Sequence, residues 1–138
     1  MRASASLIIV LFLLVWAMPM PAEAQSVMNG PQVKKAVYGW LALLEDKQYG
    51  RSWEAASTLF KQYTERRDWS VRIQGFRSGL GPLISRTPTL MQYAGSEETR
   101  QTCTVTFFTQ YENRTFQRES VLLVFEEENW LVAGYYVK

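Results

Sequence analysis

The sequence predicts an α+β domain in which about three helices come first and a four-stranded antiparallel sheet follows. Two observations predict it. Apolar residues recur every three or four positions up to Pro82, and every second position beyond it. The β-rich runs are joined by short polar turns, which spell an antiparallel meander rather than a parallel, helix-crossed sheet.

The elements follow in order. From Gln32 to about Asp46, Val33, Val37, Trp40, Leu41 and Leu44 fall on one helical face, with Pro31 at the start, where a missing N–H costs nothing. A polar connection, Glu45 to Gly50, separates this from a second helix. That helix has Ser52 as its N-cap and presents Trp53, Ala56, Phe60 and Tyr63. Thr64 caps a third, where Trp69, Ile73, Phe76 and Leu80 share a stripe, and Gly79 and Gly81-Pro82 end it. The first strand lies between Ser85 and Ala94, and Pro88 confines its first half to an edge or bulge. In Arg100–Tyr111, Cys103, Val105, Phe107 and Tyr111 face one way and Thr102, Thr104, Thr106 and Gln110 the other. Thr115–Phe125 places Val121, Leu123 and Phe125 together. Trp130–Val137 places Trp130, Val132, Gly134 and Tyr136 on one face and Tyr135 on the other. The helices cover one face of the sheet, and the threonine-rich face stays wet.

Residues 1–24 are expected to be an export signal. Arg2 precedes an apolar run from Leu7 to Ala17, then Pro19 and Pro21, then Ala22-Glu23-Ala24 as a cleavage signature after Ala24. The run is half the length of a membrane span, which takes about 20 residues, so no span is expected after cleavage. Residues 25–138 then form a single domain of a size that buries a core unaided.

Composition narrows the chemistry. The 138 residues include no histidine and one cysteine, so histidine-based triads, imidazole metal ligands, multi-thiolate zinc and internal disulfides are excluded. A net charge of +2 is too small for a nucleic-acid footprint. No metal site or cofactor is expected. The Glu126-Glu127-Glu128 turn lacks the glycine and spacing of a calcium loop. Cys103 reads as a small buried hydrophobe, with an intermolecular disulfide or a reactive thiol as the alternative.

Five residues are candidates for a ligand site. Arg77 borders the core stripe of the third helix and Arg86 begins the first strand. The pair either clamps a carboxylate or phosphate bidentately or is structural, Arg77 capping helix carbonyls or pairing with a buried acid and Arg86 pairing across strands. Tyr93, Phe108 and Tyr135 line the sheet face away from the helices, as a pocket wall, a second layer or a dimer contact. Glu112 and Glu119 flank a hairpin and are expected to pair with Arg114 and Arg118.

Taken together, Trp40-Leu41, Tyr49, Ser52-Trp53, Leu59-Phe60-Lys61, Trp69, Arg77, Leu80-Gly81, Ser85-Arg86 and the strand Asn129 to Tyr135 resemble the bacterial exported family called domain-of-unknown-function family 4019. The resemblance implies a periplasmic or secreted α+β domain with a cystatin-like or nuclear-transport-factor-like sheet, and implies no activity. The expectation is a non-enzymatic exported domain that binds a small molecule or a protein. The alternatives are an enzyme-like pocket using Tyr, Arg and carboxylate groups, and a homodimeric module.

Overall fold

The structure, a computed structural model, describes residues 22–96 and 98–138, with side chains from Gly30 onward. Most of the expected signal, residues 1–21, lies outside the described residues. Four helices precede four strands: α1 (Ala22–Glu45), α2 (Tyr49–Glu54), α3 (Thr58–Tyr63), α4 (Arg66–Arg77), β1 (Leu83–Ala94), β2 (Thr102–Tyr111), β3 (Thr115–Glu126) and β4 (Asn129–Val137). The strands pair antiparallel in chain order, with β1 and β4 at the edges.

The helical half departs from expectation in three places. α1 begins at Ala22, so Pro31 lies inside it rather than at its start. The upstream residues Ala22, Glu23, Ala24 and Gln25 are good helix formers, and the proline removes only one intrahelical hydrogen bond. The second helix is two short ones, and Ser57, not Ser52, is the cap. Its Oγ accepts the Phe60 N–H at 3.1 Å, while its own N–H donates to the Val132 carbonyl at 2.9 Å and ties α3 to β4. Ser52 sits wholly buried inside α2. Its carbonyl accepts the Trp40 indole at 2.8 Å and its Oγ the Trp69 indole at 2.9 Å, so it serves two tryptophans instead of a helix end. Thr64 closes α3 and accepts the Trp53 indole, and α4 starts after Glu65.

One core joins the layers. Val33, Val37, Trp40, Leu41 and Leu44 of α1 and Trp69 and Ile73 of α4 pack on Cys103, Val105, Phe107, Val121, Leu123, Trp130 and Val132. The helical stripe and the inward strand positions match the 3.6 and 2.0 periods that the sequence carries. Leu80, past the end of α4, joins Tyr111 and Phe116 in a small second cluster. Positive φ at Gly79 and Gly81 (82° and 74°) turns the chain out of α4 into β1, as expected of glycines at a helix exit.

The strands do not alternate without interruption. β1 shifts register between Pro88 and Leu90, at the proline that the sequence marks. In β3, Gln117 and Arg118 together oppose Phe108, since Phe107 pairs with Glu119 and Thr109 with Phe116. In β4, Leu123 pairs with Val132 but Leu122 with Gly134, leaving Ala133 as an extra residue. Each bulge reverses which side chains face the helices.

Candidate functional site

The bulge at Ala133 corrects the expected position of Tyr135. Beyond it, Tyr135 pairs with Val121, an inward position, and Gly134 and Tyr136 pair with the outward Leu122 and Ser120. Tyr135 therefore lies under the helices, its ring 5.6 Å from Trp40 and 6.4 Å from Trp69. Tyr93 is corrected likewise. It pairs with the inward Cys103 and meets Trp130 edge-on at 6.0 Å, at the other end of the core. Of the three aromatics only Phe108 is on the outer face, opposite Thr87. The sheet face away from the helices is thus not an aromatic wall.

Arg77, Arg86 and Tyr135 do come together, on the helix side. Arg86 is paired with Thr109, an inward position of β2. Its Nε donates to Glu119 Oε2 at 2.7 Å and its Nη2 to Glu119 Oε1 at 3.1 Å, a bidentate pair. The same Nη2 reaches Glu45 Oε1 and the Tyr111 hydroxyl, each at 2.8 Å. Arg77, the last residue of α4, places its Nη2 2.7 Å from Glu45 Oε1 and 2.8 Å from the Tyr111 hydroxyl. Tyr111 donates to Glu45 Oε1 at 2.6 Å. Tyr135 donates to Glu119 Oε1 at 2.7 Å, and Thr109 to Glu119 Oε2 at 2.5 Å. Arg77 thus pairs with the half-buried Glu45, and Arg86 pairs across the strands with Glu119, the structural roles expected of them.

Two guanidinium groups and two carboxylates make this cluster formally neutral. Glu119 is fully buried, and the arginine side chains are 5% and 7% exposed, against 24% for Glu45. Burying ions in low dielectric is costly unless each is paired and hydrogen-bonded, and here each is.

The cluster holds its charge states firmly. Burial alone would raise the Glu45 carboxyl, but the Tyr111 hydrogen bond, then those from Arg86 and Arg77, hold it below the ordinary carboxylate value. Burial pushes the Tyr111 and Tyr135 phenols well above theirs, and the neighbouring carboxylates add to it. Arg86 is raised, the desolvation that would lower it being outweighed by Glu119 and Glu45. None of these shifts brings a group toward neutral pH, and the paired charges make a fixed electrostatic platform. Cys103 is wholly buried and its thiol is pushed up to about 11 by that burial, which fits the small buried hydrophobe expected of it.

The platform has an open side. A cleft of about 780 Å³ lies where α1 and α4 end and β1 begins, lined by Glu45, Lys47, Tyr49, Gln74, Arg77, Ser78, Gly79 and the segment from Gly81 to Leu83. All protein contacts of the Glu45 carboxylate among the described residues go to Oε1. Oε2 accepts no hydrogen bond among the described residues and is not closed to solvent. Arg77 Nε likewise makes no hydrogen bond among the described residues and is not closed to solvent. The cleft floor thus offers one acceptor and one donor, with Lys47 in its wall and Pro82 and Leu83 as an apolar side.

Sequence reasoning missed Glu45, Glu119 and Tyr111 as members of this cluster. Glu119 was expected to pair with Arg114 and Arg118, and it turns inward instead. The signal was its period-2 phase with Val121 and Leu123. Glu45 follows Leu41 by four residues and so continues the buried stripe of α1. Among the described residues no group of three His, Cys, Asp or Glu side chains is placed to hold a metal ion, and no helix is long and apolar enough to cross a membrane.

The fold and this site define a one-layer helical cover on an antiparallel meander, with an ion cluster locked between the layers. The profile of a family described as protein of unknown function (DUF4019) matches residues 36–135, and the chain belongs to that family. The match spans every residue of the cluster, from Glu45 to Tyr135. No curated protein matches the chain.

Proposed function

We propose that the chain is an exported, periplasmic binding domain without catalytic machinery, and that it takes a small polar ligand, or a polar group of a protein partner, in the cleft above Glu45 and Arg77. The observation that carries this reading is that Glu45 and Arg77 both line the cleft and that Glu45 Oε2 and Arg77 Nε carry no hydrogen bond, on an otherwise paired ion cluster. A preorganised acceptor and donor lining one cleft suit a ligand group that both donates and accepts, such as an amide. Because the surrounding pairs fix both side chains, little rotamer entropy is lost on binding. Binding is favoured over catalysis because the ionisable groups of the platform are held away from neutrality. Export rests on the pattern of Arg2, the Leu7–Ala17 run and Ala22-Glu23-Ala24.

Native mass spectrometry of protein purified from the periplasm of its own cell tests both parts. The expected result is a mass lacking residues 1–24 and a bound small molecule that is absent from Leu83→Trp, a variant that narrows the cleft without touching the ion cluster. An unprocessed chain retained in the cytoplasm would overturn export. A ligand retained equally by Leu83→Trp would overturn the cleft.

A further inference from the structure

The described tryptophans are almost all satisfied: Trp40 donates to the Ser52 carbonyl at 2.8 Å, Trp53 to the Thr64 carbonyl at 2.6 Å and Trp69 to Ser52 Oγ at 2.9 Å. Trp130 is the exception. It is 5% exposed, and its Nε1 is the sole buried side-chain nitrogen or oxygen without a partner among the described residues. A buried donor left unpaired costs about 1–3 kcal/mol, so such groups mark places where a partner is missing.

Trp130 lies in the wall of a second cleft, of about 470 Å³, between α1 and the start of β4. This cleft shares no lining residue with the one above Glu45. Its space exists because α1 presents Gly39 there, and a Cβ built on Gly39 meets nothing within 4 Å. Trp40 and Leu43 supply an apolar wall. Lys35 and Glu128 face the cleft with opposite charges that cancel. The far wall is the β3–β4 turn, where Glu127 and Glu128 both adopt positive φ (49° and 63°). Residues with a Cβ hold that conformation at a cost, which glycine or asparagine would largely avoid. The turn that lines the cleft next to Trp130 is therefore strained, and it is tied down by the Asn129 amide donating to the Glu127 carbonyl and by Glu126 accepting from Thr58.

We propose that this cleft is a ligand site for a neutral carbonyl group on a compact apolar body, of the kind an amide carries, with the carbonyl oxygen accepting the Trp130 indole N–H. The apolar body lies against Trp40 and Leu43. Because Nε1 is closed to solvent, the carbonyl reaches it as the Glu127–Asn129 turn moves, and the relief of the turn offsets part of the cost of that movement. The balanced rim charges favour a neutral amide over a free carboxylate. This inference does not depend on the reading of the Glu45 cleft.

The test is a nuclear magnetic resonance titration of the mature chain with N-acetyl-L-leucinamide, following the indole N–H signals, with Trp130→Phe to assign that of Trp130. The expected result is a saturable downfield shift of the Trp130 indole proton, while those of Trp53 and Trp69, which do not line the cleft, stay in place. Gly39→Leu fills the cleft and replaces a helical glycine with a better helix former, so it folds, and it should weaken the response roughly tenfold or more. A Trp130 signal unmoved at saturating probe, or one that shifts equally in Gly39→Leu, overturns the site. Tighter binding of N-acetyl-L-leucine, the free carboxylate, overturns the assignment to a neutral ligand.

Discussion

Arg86 and Glu119 face each other side-on across three strands, with Nε to Oε2 at 2.7 Å and Nη2 to Oε1 at 3.1 Å, and Glu119 has no exposed surface at all. A carboxylate in that position depends wholly on its donors, which are Arg86, Thr109 and Tyr135.

Removing one ion should therefore cost far more than removing both. Arg86→Ala is expected to destabilise the domain by about 3–5 kcal/mol, because it leaves Glu119 charged, buried and without its cation. The double variant Arg86→Met/Glu119→Leu should recover a large part of that loss. Urea unfolding of the single and double variants measures it, and additive losses would refute the coupling.

Tyr135→Phe removes one hydrogen bond to the Glu119 carboxylate and keeps the ring between Trp40 and Trp69. A loss of about 1.5–3 kcal/mol is expected, the range for hydrogen bonds to charged groups. Tyr136→Phe, on the exposed outer face, should change stability by no more than about 0.5 kcal/mol. Equal losses would contradict the placement of Tyr135 by the Ala133 bulge.

Stability should fall at both ends of the pH scale. The folded Glu45 carboxyl titrates below its ordinary value of 4.5, so its contribution is complete above that value and is lost as the pH falls through the lower folded one. The Tyr111 and Tyr135 phenols titrate above their ordinary value of 10.0 in the fold. Their contribution is complete below pH 10 and is lost as the pH rises beyond it. Thermal melts across pH should show a plateau between these limits. Glu45→Gln should flatten the acid limb, and an unchanged limb would remove Glu45 as its source.

Two glycines should respond in opposite directions to alanine. Gly75, in α4, has nothing within 4 Å of a built Cβ, so Gly75→Ala should stabilise by about 0.5–1 kcal/mol through helix propensity. Gly95 holds φ at 88°, and a Cβ there would sit 2.2 Å from the Arg100 carbonyl oxygen. Gly95→Ala should lower the melting temperature of the same domain.

The fold class was legible because two periods, 3.6 and 2.0, are written on either side of Pro82. The arginines were legible as border residues because Arg77 flanks the Trp69–Ile73–Phe76 stripe. What was not legible was any feature set by an inserted residue. Tyr135 read as outward because strict alternation from Trp130 puts it there, and only pairing with β3 reveals that Ala133 is supernumerary. Tyr93 was misplaced for a related reason, since two register shifts in β1 separate it from Leu83. Ser52 read as a cap because serine before an apolar run is the ordinary cap signal. Its two indole partners, Trp40 and Trp69, come from helices on either side of it and are invisible to local pattern.

Every strand and the two longest helices lend a member to the ion cluster: Glu45 from α1, Arg77 from α4, Arg86 from β1, Thr109 and Tyr111 from β2, Glu119 from β3 and Tyr135 from β4. A strand slipped by a single residue would strand at least one charge or hydroxyl in hydrocarbon, so near-native arrangements are penalised together instead of one at a time. The cluster thus acts as a checksum on assembly, accepting only the chain in which all six contributors have arrived in step.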